Sequence, residues 1–496
     1  MSQVTGSAPP GADEVQQFGY TQKLKRSISS FESFALAFSI VSIITGIFTT
    51  YGFALATSGP RGIWMWLVAG FGQFLVAMVF AQLSTHIPLS GSSYQWGSRL
   101  ANPKIGWGFG WLSFSFFTVA VASVGYAFMT QAFAPLFDLE LGSTAIIELT
   151  IVLFAVWAIV CISSTQLVAG INRAAVIAEI CGVIGISVAL IAAVAIFGGD
   201  GSLSNVVSKG EIPGGGYYDY NGPFMLSVLL GAFTLTGFEV AANLAEETDM
   251  PERNVPRALV RAIGSSVVLC MIFLLALTIA IPSVPEVSES AAPVAAILHA
   301  QFGNVVEKIF LVLVCVAIFA VGMLCMMSSS RILYAMSRDK RFPGYQLFSK
   351  VSGRTRTPIP ATLAIFTCAA LVMVFVGSNP ETLANLFTAT AILPALIYAS
   401  TMVLFLATRS KLPTSSRYFD LGRWAVPIAL TALLWLCFEL SALLLPSIFW
   451  TSVKIVGIFL GAGLLIFLGN WLFNRESLEH EPGALALDSD LPADEV

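Results

Sequence analysis

The sequence predicts an all-α polytopic membrane protein of about 12 transmembrane helices. Ten of these form two inverted repeats of five, and two extra helices follow. Three observations carry the prediction. Hydrophobic residues make up 56% of the chain and charged residues 11%, whereas soluble domains carry about 25% charge. Apolar stretches of bilayer-spanning length, about 20 residues each, recur along the whole chain. Lysine and arginine concentrate in alternate connections between those stretches.

The apolar runs place helices at 33–57, 64–86, 105–136, 144–162, 168–197, 223–245, 258–281, 305–336, 360–377, 383–408, 424–444 and 448–473. With the N-terminus inside, the inner connections hold 21 of the 25 basic residues. They include Lys23, Lys25 and Arg26, Arg99 and Lys104, Arg253, Arg257 and Arg261, seven residues between Arg331 and Arg356, and four between Arg409 and Arg423. Only Arg61, Lys209, Lys308 and Lys454 remain outside. That asymmetry follows the positive-inside rule and requires an even number of spans, with both termini cytoplasmic. Segment 1–30 lacks the apolar core of a cleavable signal and reads as a disordered cytoplasmic tail. Segment 201–222 lies in an external Gly-, Ser- and Tyr-rich loop. The acidic segment 476–496 reads as a second disordered tail. A short amphipathic helix is expected near Ala291–Gln301.

Two stretches read alike. Ile43-Ile44-Thr45-Gly46-Ile47-Phe48 lies in helix one, and Thr234-Leu235-Thr236-Gly237-Phe238-Glu239 lies in helix six. Glycine weakens a helical ladder. A break at mid-membrane depth is tolerated only where protein or a water-filled cavity satisfies the freed backbone groups. Five helices separate the two breaks. Five is odd, so the second unit, 223–410, enters from the side opposite to the first, 31–200, and 411–475 lies outside the repeat. Paired breaks of this kind point to the binding site of a secondary transporter. The alternative is close helix packing through small residues.

Half-helix ends at such breaks present N–H groups to a carboxylate and carbonyls to an amine. Thr45, Gly46, Ile47, Thr49, Phe233, Thr234, Thr236, Gly237 and Phe238 are therefore the expected substrate-binding residues, with Phe48 as a further wall or gate. Glu239, beside the second break, and Glu179, in helix five, are intramembrane acids, which usually face a pathway or cavity. Each is cheaper to bury with its proton, and both are expected proton-coupling residues. For Glu179 a snorkelling or helix-bonded position near the cytoplasmic end is equally open. Ser328 and Ser329, in the run Ser328-Ser329-Ser330 of helix eight, are expected to line the cavity against helix one, or else to bond back to their own helix.

Other chemistries find no support. The chain has no GxxxxGK[ST] loop for ATP-driven pumping, no HExxH and no GxSxG. Its three histidines are scattered and its seven cysteines lie in apolar segments without ligand spacing. No cofactor, metal site, nucleic-acid surface or enzymatic activity is expected, and nothing specifies an oligomeric state.

Several motifs resemble the amino acid–polyamine–organocation superfamily. They are Gly237-Phe238-Glu239 with Glu246-Glu247 and the stretch Pro251 to Ala258, then Ser330-Arg331 through Asp339 with Phe342-Pro343, and Pro88 to Trp96. Ser92 departs from the pattern, which usually has glycine there. With Ser58-Gly59-Pro60, the whole is most similar to the amino acid/choline transporter branch, which includes GABA and choline permeases. The resemblance implies a LeuT-like fold with helices one and six broken around the substrate. It implies a plasma-membrane symporter importing an amino acid or related amine, with a proton as the partner ion. An amino acid/polyamine exchanger and a non-transporting ligand sensor are the alternatives. Some relatives carry a lysine in helix five in place of a sodium ion, and Glu179 stands at that position here.

Overall fold

The computed structural model describes residues 18–20, 24, 26–212, 215–290, 292–377, 382–412 and 418–481. The expected tails at 1–17 and 482–496, and Lys23, Lys25, Ala291 and Arg417, lie outside the described residues. Among the described residues the only β-pairing is an isolated bridge between Ile28 and Thr248.

Among the described residues eleven helices are long and apolar enough to cross a membrane. The remaining span, helix six, is interrupted, which brings the total to the expected twelve. Helix one runs Ser30–Val41 and resumes Ile43–Ser58. Helix two is Met65–His86, helix three Pro103–Ala127 extended by a π-turn at Phe128–Phe133, helix four Ser143–Ser163 and helix five Thr165–Ala195. Helix six consists of Pro223–Leu226, Val228–Thr234 and Val240–Asn243. Helices seven to twelve are Pro251–Ile279, Asn304–Arg338, Ile359–Val376, Thr382–Thr408, Ala425–Leu444 and Trp450–Phe473. Two short helices, Val284–Glu289 and Pro293–Phe302, occupy the connection where one amphipathic helix was expected.

Helices one, three, six and eight are buried along most of their length, while helices four, five, nine, eleven and twelve show large apolar side chains on the outside. That division places lipid-facing surface at the rim and a protein-lined centre around the two broken helices. Helix seven starts at Pro251, not at 258, because Pro251-Glu252 supplies a proline and an acid to its first turn.

The expected disorder of the chain termini is corrected where residues are described. Tyr20 is fully buried. Its hydroxyl donates to Asp339 Oδ1 at 2.9 Å, and the Arg338 guanidinium lies 3.7 Å from its ring centroid. Ser27 and Ile28 donate to the Glu247 carbonyl at 2.9 and 3.0 Å, and Asp249 N donates back to the Ile28 carbonyl. Beyond helix twelve, the carbonyls of Ser477 and His480 accept from Arg341 at 2.9 Å each. Tyr20 and the segment 477–480 thus pack against the end of helix eight through polar and charge-assisted bonds that a hydropathy pattern does not register.

Candidate functional site

The break in helix one is displaced from its expected position. It falls at Ser42, with φ 22° and ψ 103°, and Gly46 lies inside the resumed helix. Three groups close the break. Ser42 Oγ accepts from Thr45 N at 3.1 Å and donates to Glu179 Oε1 at 2.8 Å. Ile44 N donates to the same carboxylate oxygen at 2.9 Å. Glu179 therefore caps the start of a half-helix from across the interface, as an acid at an N-cap does within one chain segment. It sits at mid-helix rather than near a helix end, because helix five begins at Thr165, and it is 1% exposed.

Gly46 earns its place by proximity. A Cβ there would stand 2.2 Å from Thr234 Cγ2 and 2.7 Å from Thr234 Cβ. Helices one and six thus touch at the paired Thr-Gly stretches, and at Gly46 the close packing weighed above is what the residue provides.

Helix six breaks where expected, between Thr234 and Val240. Gly237 has φ +81°, a left-handed conformation that glycine adopts without steric cost. Its N–H donates to Tyr398 Oη at 2.9 Å, and that hydroxyl donates to Glu239 Oε2 at 2.5 Å. Glu239 is 2% exposed, and its Oε1 has no bonding partner. One tyrosine of helix ten thus satisfies both the freed backbone and the buried acid.

Where the breaks meet, a cavity with about 360 Å³ of empty space is lined by Thr45, Gly46, Phe233, Thr234 and Thr236 from the two stretches. Ile40 and Val41, the last turn before the first break, also border it. Phe116, Ala120 and Val124 of helix three, Val321 and Cys325 of helix eight and Thr390 of helix ten complete the wall. No charged side chain lines it. Thr234 Oγ1 is buried without a partner.

The other expected binding residues lie elsewhere. Ile47 is buried in the core. Phe238 packs on Phe80 and Tyr398, with ring centroids 5.5 and 5.2 Å apart. Thr49 bonds back to the Thr45 carbonyl at 2.6 Å and lines a second cavity with Phe48, Gln131 and Phe387. Phe233 of the first cavity and Phe387 of the second pack with ring centroids 4.6 Å apart, tilted by 50°. An aromatic pair thus separates the two spaces.

Ser328 and Ser329 do not form a cluster with helix one. Ser328 Oγ accepts from Asn243 Nδ2 at 2.8 Å. Ser329 meets Thr118 Oγ1 at 3.2 Å on helix three. Successive residues of a helix point about 100° apart, which sends the two hydroxyls to different neighbours. Ser330 does bond back, to the Met327 carbonyl at 2.7 Å. Among the described residues no group of acids, histidines or cysteines could hold a metal ion.

Beneath the breaks lies a layer of paired charge. Arg331 donates to Glu247 Oε1 at 2.9 Å and to Thr165 Oγ1 at 3.0 Å. Arg338 holds Glu246 by two bonds of 3.0 Å. Ser92, at the expected glycine position, has φ +35° and is therefore strained, and its hydroxyl donates to Asn243 Oδ1 at 2.7 Å. Tyr398, the helix-three face and Thr390 were missed from the sequence. Phe116, Ala120 and Val124 recur at four-residue spacing, but an apolar stripe reads the same toward lipid as toward a cavity. A tyrosine hydroxyl inside an apolar helix, four residues after Pro394, was a usable signal for Tyr398.

Comparison with known proteins agrees with this geometry. A family model described as amino acid permease matches residues 28–465. Amino-acid permease BAT1 of Arabidopsis thaliana is 26% identical, the match covering 94% of each chain. The BAT1 homolog of Oryza sativa subsp. japonica is also 26% identical, over 95% of each. Amino-acid permease 2 of Neurospora crassa is 25% identical over 75% of this chain and 70% of its own. With the family match spanning nearly the whole of a twelve-span helical bundle, the chain belongs to the amino acid permease family of the amino acid–polyamine–organocation superfamily, whose members are multi-pass membrane transporters of amino acids.

Proposed function

We propose that this permease imports an amino acid or related amine, such as GABA or choline, in symport with protons. It does so by alternating access around the broken helices one and six. The observation that carries the reading is the cavity where the two breaks meet. The Phe233–Phe387 pair stands between it and the second cavity, and the Arg331–Glu247 and Arg338–Glu246 pairs lie further along helix eight from its Val321 and Cys325 wall. In this reading segments 31–200 and 223–410 are the moving units, the aromatic pair is the outer gate and the charged layer is the inner one. The charge asymmetry of the connections supports a plasma-membrane orientation with both termini cytoplasmic.

The site favours a substrate with one cationic end. The first N–H groups of the resumed helix one are already taken by Glu179 and Ser42. The opposite half ends in carbonyls at Ile40 and Val41, which border the cavity and suit an ammonium group. The free Thr234 hydroxyl suits a carboxylate or hydroxyl at the other end. A polyamine would leave further cations against an uncharged wall, and such unpaired burial is costly.

Glu179 and Glu239 are the coupling residues of this reading. A proton on Glu179 removes its charge from the half-helix N-terminus and weakens the cap across the Ser42 break. A proton on Glu239 removes the charge hydrogen-bonded to Tyr398 at the helix-six break. Thermal-shift measurement of the purified protein against GABA, choline, neutral and basic amino acids and polyamines tests binding. A ligand present at 100 times its Kd should stabilise the protein by about 2.7 kcal/mol. If none stabilises it, the binding reading fails. Uptake into proteoliposomes should rise with an inward proton gradient. Counterflow with no response to that gradient would replace symport by exchange.

A further inference from the structure

A third buried acid stands away from both breaks. Glu439 lies on helix eleven, outside the two five-helix units, and is 0% exposed. Its Oε2 accepts from Gln73 Nε2 of helix two at 3.0 Å, and its Oε1 has no partner. Trp435, one turn earlier on the same helix, also leaves its indole N–H unbonded. None of the ion pairs among the described residues involves Glu439.

Its electrostatic surroundings are few. Helix eleven packs against helices two and ten and the outer half of helix six. Helix two offers the neutral Gln73. Helix ten offers Tyr398, which lies within electrostatic reach of Glu439. Behind that hydroxyl stands the Glu239 carboxylate. The outer half of helix six, Val228–Thr234, carries no titratable side chain. Arg423, just before helix eleven, is 16 residues away, about 24 Å along the axis. An ionised Glu439 would therefore be a buried charge with the Gln73 amide and the neighbouring Trp435 indole beside it but no cation, a costly state. A role limited to bonding Gln73 needs no ionisable group at all.

We propose that Glu439 is a second proton-binding site of this transporter, loaded from the outer side and coupled electrostatically through Tyr398 to Glu239 at the helix-six break. The proposal rests on the proton-symport reading above. Glu439 lies five residues, about 7.5 Å, from the outer end of helix eleven at Leu444, a short path for a proton. Two buried carboxylates on packed neighbouring helices, both acting on the Tyr398 hydroxyl, disfavour being ionised together. A proton arriving at Glu439 therefore makes release of the proton on Glu239 easier, and the reverse. No bond is made or broken other than the O–H of each carboxyl.

The test is infrared difference spectroscopy of the purified full chain during a pH titration, with no substrate and no gradient. The wild type should show a protonated-carboxyl band whose amplitude changes between about pH 5 and 9, and E439Q should lack that component. E239Q should shift the midpoint of the Glu439 component, and Q73M, which removes the amide donor, should shift it too. A Glu439 band that never titrates marks a permanently protonated structural acid and overturns the proposal. So does a spectrum unchanged by E439Q, or a midpoint that ignores both E239Q and Q73M. Because the Q73M arm keeps Glu439, it decides the matter even if E439Q fails to fold. Failure of symport would appear separately, as wild-type uptake indifferent to a proton gradient while the band still titrates.

Discussion

Replacing Gly46 by alanine tests whether the two breaks are held as one rigid unit. The added Cβ would meet three atoms of Thr234: Cγ2 at 2.2 Å, Oγ1 at 2.4 Å and Cβ at 2.7 Å. Rotating Thr234 about χ1 moves the first two but leaves the third, so the backbones of helices one and six must separate. Carbon atoms rest about 3.5–4.0 Å apart, which calls for a shift of about 1 Å at the narrowest point of the bundle. Overpacking of that kind costs about 1–3 kcal/mol, against a gain of about 0.5–1 kcal/mol from removing a helical glycine. Gly170, in helix five, isolates the second effect, since nothing lies within 4 Å of a Cβ there. Thermal unfolding in detergent should rank G170A above wild type and wild type above G46A. Substrate-induced stabilisation should fall at least fivefold in apparent affinity for G46A alone. Adding T234G should relieve the overlap and recover part of the lost stability but not the affinity, because it also removes the hydroxyl proposed to meet the substrate. A G46A protein as stable as G170A, with unchanged affinity, would refute the claim that contact at this pair sets the cavity.

Three further outcomes are expected. Y398F removes the hydroxyl shared by Gly237 N and Glu239, and leaving them unsatisfied should cost about 1–3 kcal/mol; an unchanged unfolding midpoint would count against that pairing. R331M strands the buried Glu247 carboxylate and should cost about 3–5 kcal/mol, most of it recovered in R331M/E247Q; strictly additive losses would show the two groups are not coupled. E179Q keeps an acceptor for Ile44 N but cannot titrate, so uptake should lose its acid stimulation while the protein stays folded; a pH profile identical to wild type would remove Glu179 from the coupling mechanism.

Much of the architecture was legible because it is written in local quantities. Span length follows from hydropathy, since it reflects the cost of moving a residue through hydrocarbon. The helix-six break was readable because Gly237 itself adopts the left-handed conformation that opens the chain. The helix-one break was misplaced by four residues because the actual kink, at Ser42, is stabilised from outside the helix. The Glu179 carboxylate that holds it is 137 residues away in sequence. Ser328 and Ser329 were assigned together because they are adjacent, but adjacent residues on a helix face different neighbours.

By itself, then, the sequence determined the membrane class, the number of spans and the two Thr-Gly stretches where the cavity forms. The tertiary structure decided which groups meet there. It set Glu179 onto the start of a half-helix, Tyr398 between Gly237 and Glu239, and Tyr20 and the segment 477–480 against the foot of helix eight. The physical reason is range. Insertion energies and turn preferences act on a residue and its near neighbours, whereas a buried polar group is satisfied by whatever donor or acceptor the packed fold brings within 3 Å.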